Sequence, residues 1–187
     1  MLKRKPFDMA SYVERITHDP CFICEIVKGN PAFRHHVVYE DEKGIVFLNK
    51  YPSLMGYVLV APKQHREQVT GDFSKGEYLE LQALIYRVTE AVRRVVPAER
   101  VYLLSLGSQQ GNSHVHWHIA PLPPGVPFSQ QQLEALRIED GILDVPEQEM
   151  AAMALRIREA MGRPAVALEN GGPFSAESQA QDRLLSE

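Results

Sequence analysis

The sequence predicts an α+β fold: an antiparallel β-sheet with a long helix packed on it, followed by C-terminal helices. Three observations predict it. Short β-branched and aromatic runs are joined by turn-length stretches, as in 37–40, the turn at 41–44 and the return at 45–49. Between 75 and 96, Leu81, Leu84, Ile85, Val88, Val92 and Val95 recur at three and four, which is the period of one helical face. Finally, His114, His116 and His118 alternate strictly with Val115 and Trp117. Side chains alternate across a strand, so the three imidazoles would share one face and the apolar spacers the other.

In chain order, 1–19 reads as an N-terminal extension whose residues 10–16 could form a short helix with Tyr12, Val13 and Ile16 as its apolar side. Cys21 and Cys24 follow, then the turn Gly29-Asn30-Pro31. Residues 52–56 form a loop. The nearly continuous apolar run 57–62 suits a central strand covered on both sides. Pro97 stops the long helix, and 100–106 is a strand. The histidine strand ends at Pro121. Pro121, Pro123, Pro124 and Pro127 cannot sit in regular sheet, because proline has no ladder donor. They mark the end of a domain spanning 20–124. Residues 125–162 form a helical extension with segments at 129–136 and 146–161, the second carrying the stripe Met150, Met153, Ala154, Ile157 and Met161. From 163 to 187 Gly, Pro, Ser and Glu dominate, a composition expected to stay disordered.

At 187 residues the chain can bury a real core. A net charge of −4 argues against a dedicated nucleic-acid or membrane-surface protein. The basic start, Lys3-Arg4-Lys5, is not followed by an apolar run, so it is not a signal peptide. No stretch approaches the roughly 20 apolar residues that span a bilayer. A cytoplasmic location is expected. With two cysteines in all, a disulfide scaffold is not expected, and Cys21-x-x-Cys24 reads as a metal or redox pair.

Three imidazoles on one strand face, roughly 6–7 Å apart, can bind a metal. Equally, one can act as nucleophile or general base while its neighbours orient it. A redox CxxC opens a helix in a βαβ context, which this sequence does not suggest. His65 stands just beyond the apolar strand in Pro62-Lys63-Gln64-His65. His18, His35 and His36 carry no matching context and read as solvated or loop histidines.

The run from His114 to Ala120 resembles the signature of the histidine triad (HIT) superfamily of nucleotide hydrolases and transferases. The likeness extends from about Cys21 to about Pro124. It implies that a structural zinc ion is held by Cys21, Cys24, His65 and His114, a closed tetrahedral set. It implies that His116 attacks the α-phosphorus of a nucleotide, that His118 donates to phosphate oxygens, and that Gln110 contacts phosphate. Ser105 and Asn112, which bracket the loop around Gln110, are implied substrate contacts. Asn49 matches the position that hydrogen-bonds ribose hydroxyls, and Phe22, Ile23, Ile26 and Phe47 match the apolar wall around the base. Two departures stand out: Gly111 replaces the family's Ser or Thr after the Gln, and Gly56-Tyr57 replaces a frequent Gly-His. Histidine at the third triad position implies hydrolysis rather than transfer, and the family implies a homodimer, for which 101–106 and the long helix could supply the interface. The expected activity is hydrolysis of a purine nucleotide derivative, either a nucleoside phosphoramidate or a dinucleoside polyphosphate. The alternatives are a nucleotide-binding or regulatory protein with little turnover, and a histidine-ligated metalloenzyme.

Overall fold

The computed structural model describes residues 3–162. Its elements are β1 (Arg4–Lys5), α1 (Met9–His18), α2 (Phe22–Val27), β2 (Val37–Glu40), β3 (Gly44–Leu48), β4 (Val58–Pro62), α3 (Lys75–Val95), β5 (Arg100–Ser105), β6 (Trp117–Leu122), β7 (Ile142–Leu143) and α4 (Glu147–Met161). Strands β2-β3-β4-β6-β5 form one antiparallel sheet. The expected α+β architecture, with the long helix on the sheet, is the one observed.

Alternation sorts the core into two layers. Val46, Leu48, Val58, Val60, Val115, Trp117 and Ile119 point to the side covered by α3 and α4. Ile45, Phe47, Leu59, Ala61, Ala120 and Leu122 point to the other, where Ile23 of α2, Leu54, Tyr57 and Ala135 cover them. Both faces of β3 and β4 are therefore buried, as the unbroken apolar runs require. Helix α3 starts with a capping box. The Ser74 side chain accepts from the Glu77 N–H, and the Glu77 carboxylate accepts from the Ser74 N–H. Among the described residues no helix is long and apolar enough to cross a membrane.

Three expectations need correction. Residues 129–136 form no helix but two short 3₁₀ turns, Phe128–Gln130 and Glu134–Leu136. Between them Gln132 adopts a left-handed backbone, φ 58°, and its N–H donates to the Tyr102 hydroxyl. A helix could not pass through that residue. The histidine strand starts later than expected, at Trp117, and runs one residue further, to Leu122, so Pro121, expected outside regular sheet, lies within it opposite Val101. The Val115 N–H donates to the Arg66 carbonyl at 2.6 Å, a loop rather than a strand partner, and this draws His114 out of the ladder. Residues 22–27, given no element from sequence, form α2. The two-residue strands β1 and β7 also pair, joining the N- and C-terminal extensions beside the 52–56 loop. The tail expected at 163–187 lies outside the described residues.

Candidate active site

The cysteine pair sits on the first turn of α2, where Cys21 is the N-cap residue and Cys24 lies three residues on, so both thiols share one side of the helix. His65 lies just beyond β4, in a loop held against the histidine run by the Arg66–Val115 backbone bond. One ligand atom from each of Cys21, Cys24, His65 and His114 can be chosen so that all four lie within 4.8 Å of one another. His114 Nδ1 is 3.4 Å from Cys21 Sγ and 3.6 Å from Cys24 Sγ, and His65 Nδ1 is 3.3 Å from Cys24 Sγ. Metal–donor bonds of about 2.0–2.3 Å arranged tetrahedrally require donor separations of about 3.3–3.8 Å, so the cluster is sized for one zinc-like ion.

The outward nitrogens of both rings are also engaged. His114 Nε2 is 2.9 Å from the Pro62 carbonyl, and His65 Nε2 is 3.0 Å from the Glu67 carboxylate, which also accepts from Ser113. Such partners keep the proton on Nε2 and turn the Nδ1 lone pair inward. Glu67 was not foreseen from sequence. Burial, helped by the neighbouring His65 and His116 rings, pulls His114 down to about 4. Burial and the adjacent Cys21 push the Cys24 thiol up to about 11. The CxxC does open a helix, but on an antiparallel sheet, and a thiol so raised is the reverse of a redox nucleophile.

Two residues on, the environment changes. His116 is 4 % exposed, and its Nδ1 lies 2.7 Å from the His114 carbonyl. That oxygen can only accept, so Nδ1 carries the proton and Nε2 keeps its lone pair. Ser105 Oγ donates to the His116 carbonyl at 2.8 Å, fixing the backbone from the neighbouring strand. The His118 ring centre is 4.8 Å from that of His116. Burial, and secondarily His116, pulls His118 down to about 3, and burial also lowers His116, so both rings are neutral at neutral pH.

Both line a cavity of about 860 Å³. Of the expected substrate residues, Phe22, Asn49, Gln110 and Asn112 line it as well. Ile23, Ile26, Phe47 and Ser105 do not. Ile23 and Phe47 are wholly buried behind Phe22, whose ring meets Phe47 edge-on at 6.2 Å and His116 at 6.0 Å. His35, read from sequence as a solvated or loop residue, is half-buried, lines the cavity, meets the Phe47 ring edge-on at 5.3 Å and lies tilted 6.2 Å from Phe22.

The remaining wall comes from α1. Tyr12, Arg15, Ile16 and Asp19 recur on one helical face and all border the cavity. The helix is tied down by Asn112, whose amide donates to the Tyr12 hydroxyl at 2.9 Å, and by the ring trio Phe7, Tyr12 and Tyr51. Gly111 packs closely under α1, where a Cβ would stand 3.1 Å from the Ile16 carbonyl oxygen, tighter than ordinary van der Waals contact. Tyr57, left without a role in the sequence reading, reaches His118. Its hydroxyl oxygen is 3.0 Å from His118 Nδ1.

The HIT domain matches residues 30–124, just over half of the chain. The chain is 30% identical over 129 residues to the adenosine 5'-monophosphoramidase of Schizosaccharomyces pombe, covering 62% of this chain and 92% of that protein. An uncharacterized HIT-like protein of Saccharolobus solfataricus is 29% identical over 104 residues, 54% of this chain and 73% of its own length. Among solved structures, a hypothetical histidine triad nucleotide-binding protein from Sulfolobus tokodaii superposes with a TM-score of 0.60 at 26% identity, covering 75% of this chain and 91% of that one. A zinc-bound histidine triad family protein from Mycobacterium smegmatis gives a TM-score of 0.59 at 23% identity, over 75% and 92% of the two chains, and so shares the fold. The histidine run, its two surroundings and the matched stretch lead to one conclusion: the chain belongs to the HIT domain family.

Proposed function

We propose that the protein is a nucleotide hydrolase that cleaves a purine nucleotide derivative, a nucleoside phosphoramidate or dinucleoside polyphosphate, at its α-phosphorus. The observation that carries this reading is the His116 ring. Its Nδ1–H is committed to a backbone carbonyl, so the basic Nε2 stands in a neutral imidazole bordering a nucleotide-sized cavity. Nε2 attacks phosphorus, the bond to the leaving group breaks, and the leaving group departs with a proton from solvent. Water then hydrolyses the phosphorus–nitrogen bond of the nucleotidyl-histidine, releasing the nucleoside monophosphate and restoring His116. His118 and Gln110 donate to the phosphate oxygens as charge builds on them, Asn112 and Ser105 support that loop, and Asn49 takes the ribose. Phe22 offers a ring face for the base, with Ile23, Ile26 and Phe47 as its backing.

Cys21, Cys24, His65 and His114 would hold a zinc ion, which supplies a structural cross-link between α2, the β4 loop and the start of the histidine run. Four protein donors leave no open position for substrate, which argues against a histidine-ligated metalloenzyme. Two thiols committed to a metal rather than to each other fit a reducing, cytoplasmic compartment. Homodimerisation through β5 is part of the proposal. The test is turnover of adenosine phosphoramidate and of diadenosine polyphosphates by the wild type and by His116→Ala. Loss in the variant, with a nucleotidyl mass adduct trapped on the wild type, supports it. Equal turnover by both refutes it. Nucleotide-dependent thermal stabilisation without product would favour a binding role instead.

A further inference from the structure

We infer that Tyr57 is a positioning residue, whose hydroxyl donates to His118 Nδ1 and thereby holds His118 as the tautomer that presents an Nε2–H to the substrate. This rests on the hydrolase reading above.

Three observations carry it. Tyr57 is 5 % exposed, and its oxygen lies 3.0 Å from His118 Nδ1. His118 Nε2 is buried and has no hydrogen-bond partner among the described residues. His118 also lines the same cavity as His116. A neutral imidazole has one N–H and one lone pair, and a hydroxyl has one proton. If Nδ1–H donated to Tyr57, the tyrosine proton would need another acceptor, and the buried Nε2 would be a bare lone pair facing incoming phosphate oxygens. If the hydroxyl donates to Nδ1, its proton is used, and the one group still unsatisfied is an N–H beside the reacting atoms. An anionic phosphate oxygen satisfies that group, so the buried donor that is costly in the empty cavity becomes favourable when charge develops there.

The backbone is built to aim this hydroxyl. Gly56 turns the chain at φ +74°, and a Cβ there would fall 2.5 Å from Val96 Cγ2. The Tyr57 carbonyl then accepts from the Asn49 N–H at 2.9 Å, which ties it to the expected ribose residue. The surroundings leave the direction of the bond undisturbed. The strand neighbours of His118 are Leu59 and Leu104, and the titratable groups against it are Tyr57 and His116. Burial raises the Tyr57 pKa, so the hydroxyl keeps its proton wherever the protein is folded and active. An imidazole at this position could donate, accept or become charged, whereas a phenol with one proton gives His118 a single instruction.

The experiment compares wild type, Tyr57→Phe and Tyr57→His, since phenylalanine keeps the ring in its layer and removes only the oxygen. With adenosine phosphoramidate as substrate, Tyr57→Phe is expected to lower kcat by about 10- to 100-fold with KM held within about twofold. Tyr57→His is expected to restore part of kcat. Long-range ¹H–¹⁵N NMR of the His118 ring, assigned through His118→Gln, is expected to show the Nε2–H form in the wild type and a mixture of tautomers in Tyr57→Phe. In a His118→Gln background the Tyr57→Phe effect should vanish. An unchanged kcat, an unchanged tautomer, or an undiminished effect in that background overturns the inference. If the wild type turns over no nucleotide at all, the hydrolase reading fails, and the tautomer measurement still decides what Tyr57 does to His118.

Discussion

The first two histidines of the run differ in which ring nitrogen a backbone carbonyl claims. His114 and His116 are both buried, both neutral, and each is packed about 5 Å from another imidazole. At His114 a carbonyl, that of Pro62, accepts from Nε2, so Nδ1 turns toward two thiols. At His116 a carbonyl, that of His114, accepts from Nδ1, so Nε2 keeps its lone pair. Under the proposed function, the same side chain serves as a ligand or a nucleophile according to which nitrogen the backbone claims.

The largest expected effects separate these two histidines. His116→Asn should lower kcat by about a thousandfold or more while the protein keeps one equivalent of metal and its melting temperature, measured by metal analysis and calorimetry. Cys24→Ser should do the opposite in order of cause. Metal is lost first, at a cost of about 3–5 kcal/mol, or roughly 10 °C in Tm at this chain length, and activity falls only as structure does. A Cys24→Ser protein that retains metal and Tm would erase the distinction.

Acid sharpens it further. The folded value of His118, about 3, lies below its unfolded value of 6.5. The unfolded chain therefore binds the extra proton between those two pH values. The stability tied to keeping this ring neutral is present above pH 6.5 and is lost as pH falls toward 3. In excess zinc, His118→Gln should flatten that part of the acid unfolding curve, and a curve of unchanged slope would assign the loss to other groups. The smallest effect belongs to Glu67, which orients His65 at a half-exposed position. Glu67→Gln should weaken metal binding by about tenfold in a chelator competition, with kcat unchanged.

What was legible in the sequence was what local period and composition encode. The alternation of Val115, Trp117 and Ile119 with the histidines predicted correctly which side each faces, because a strand side is decided residue by residue. The same period could not say that His114 leaves the ladder, since the cause is a carbonyl at Arg66. The four residues that could hold a metal span up to 93 positions, so only resemblance, not spacing, could group them. Tyr57 was read as the start of an apolar strand, and nothing near it in the chain announces a partner 61 residues away. Ile23 and Phe47 match an apolar wall in type, but apolar type does not distinguish a surface that meets ligand from the layer behind it. The wall supplied by α1 was missed for a related reason. Its apolar side was visible in Tyr12 and Ile16, but not what that side would cover.

The sheet has two borders, and they are treated differently. Along β2, Arg158 of α4 reaches over and donates from Nε to the Val38 carbonyl and from Nη2 to the Val37 carbonyl, both at 2.8 Å. A guanidinium seated on those oxygens leaves little room for an incoming strand. Along β5 no further strand pairs among the described residues, and Leu103 and Leu106 are 51 % and 53 % exposed. Among the described residues, the edge left uncovered by a side chain on its carbonyls is therefore β5. A second chain extending the sheet along β5 would lie beside the backbone of Ser105, whose hydroxyl holds the His116 carbonyl, so that edge and the placement of the His116 ring share a single strand.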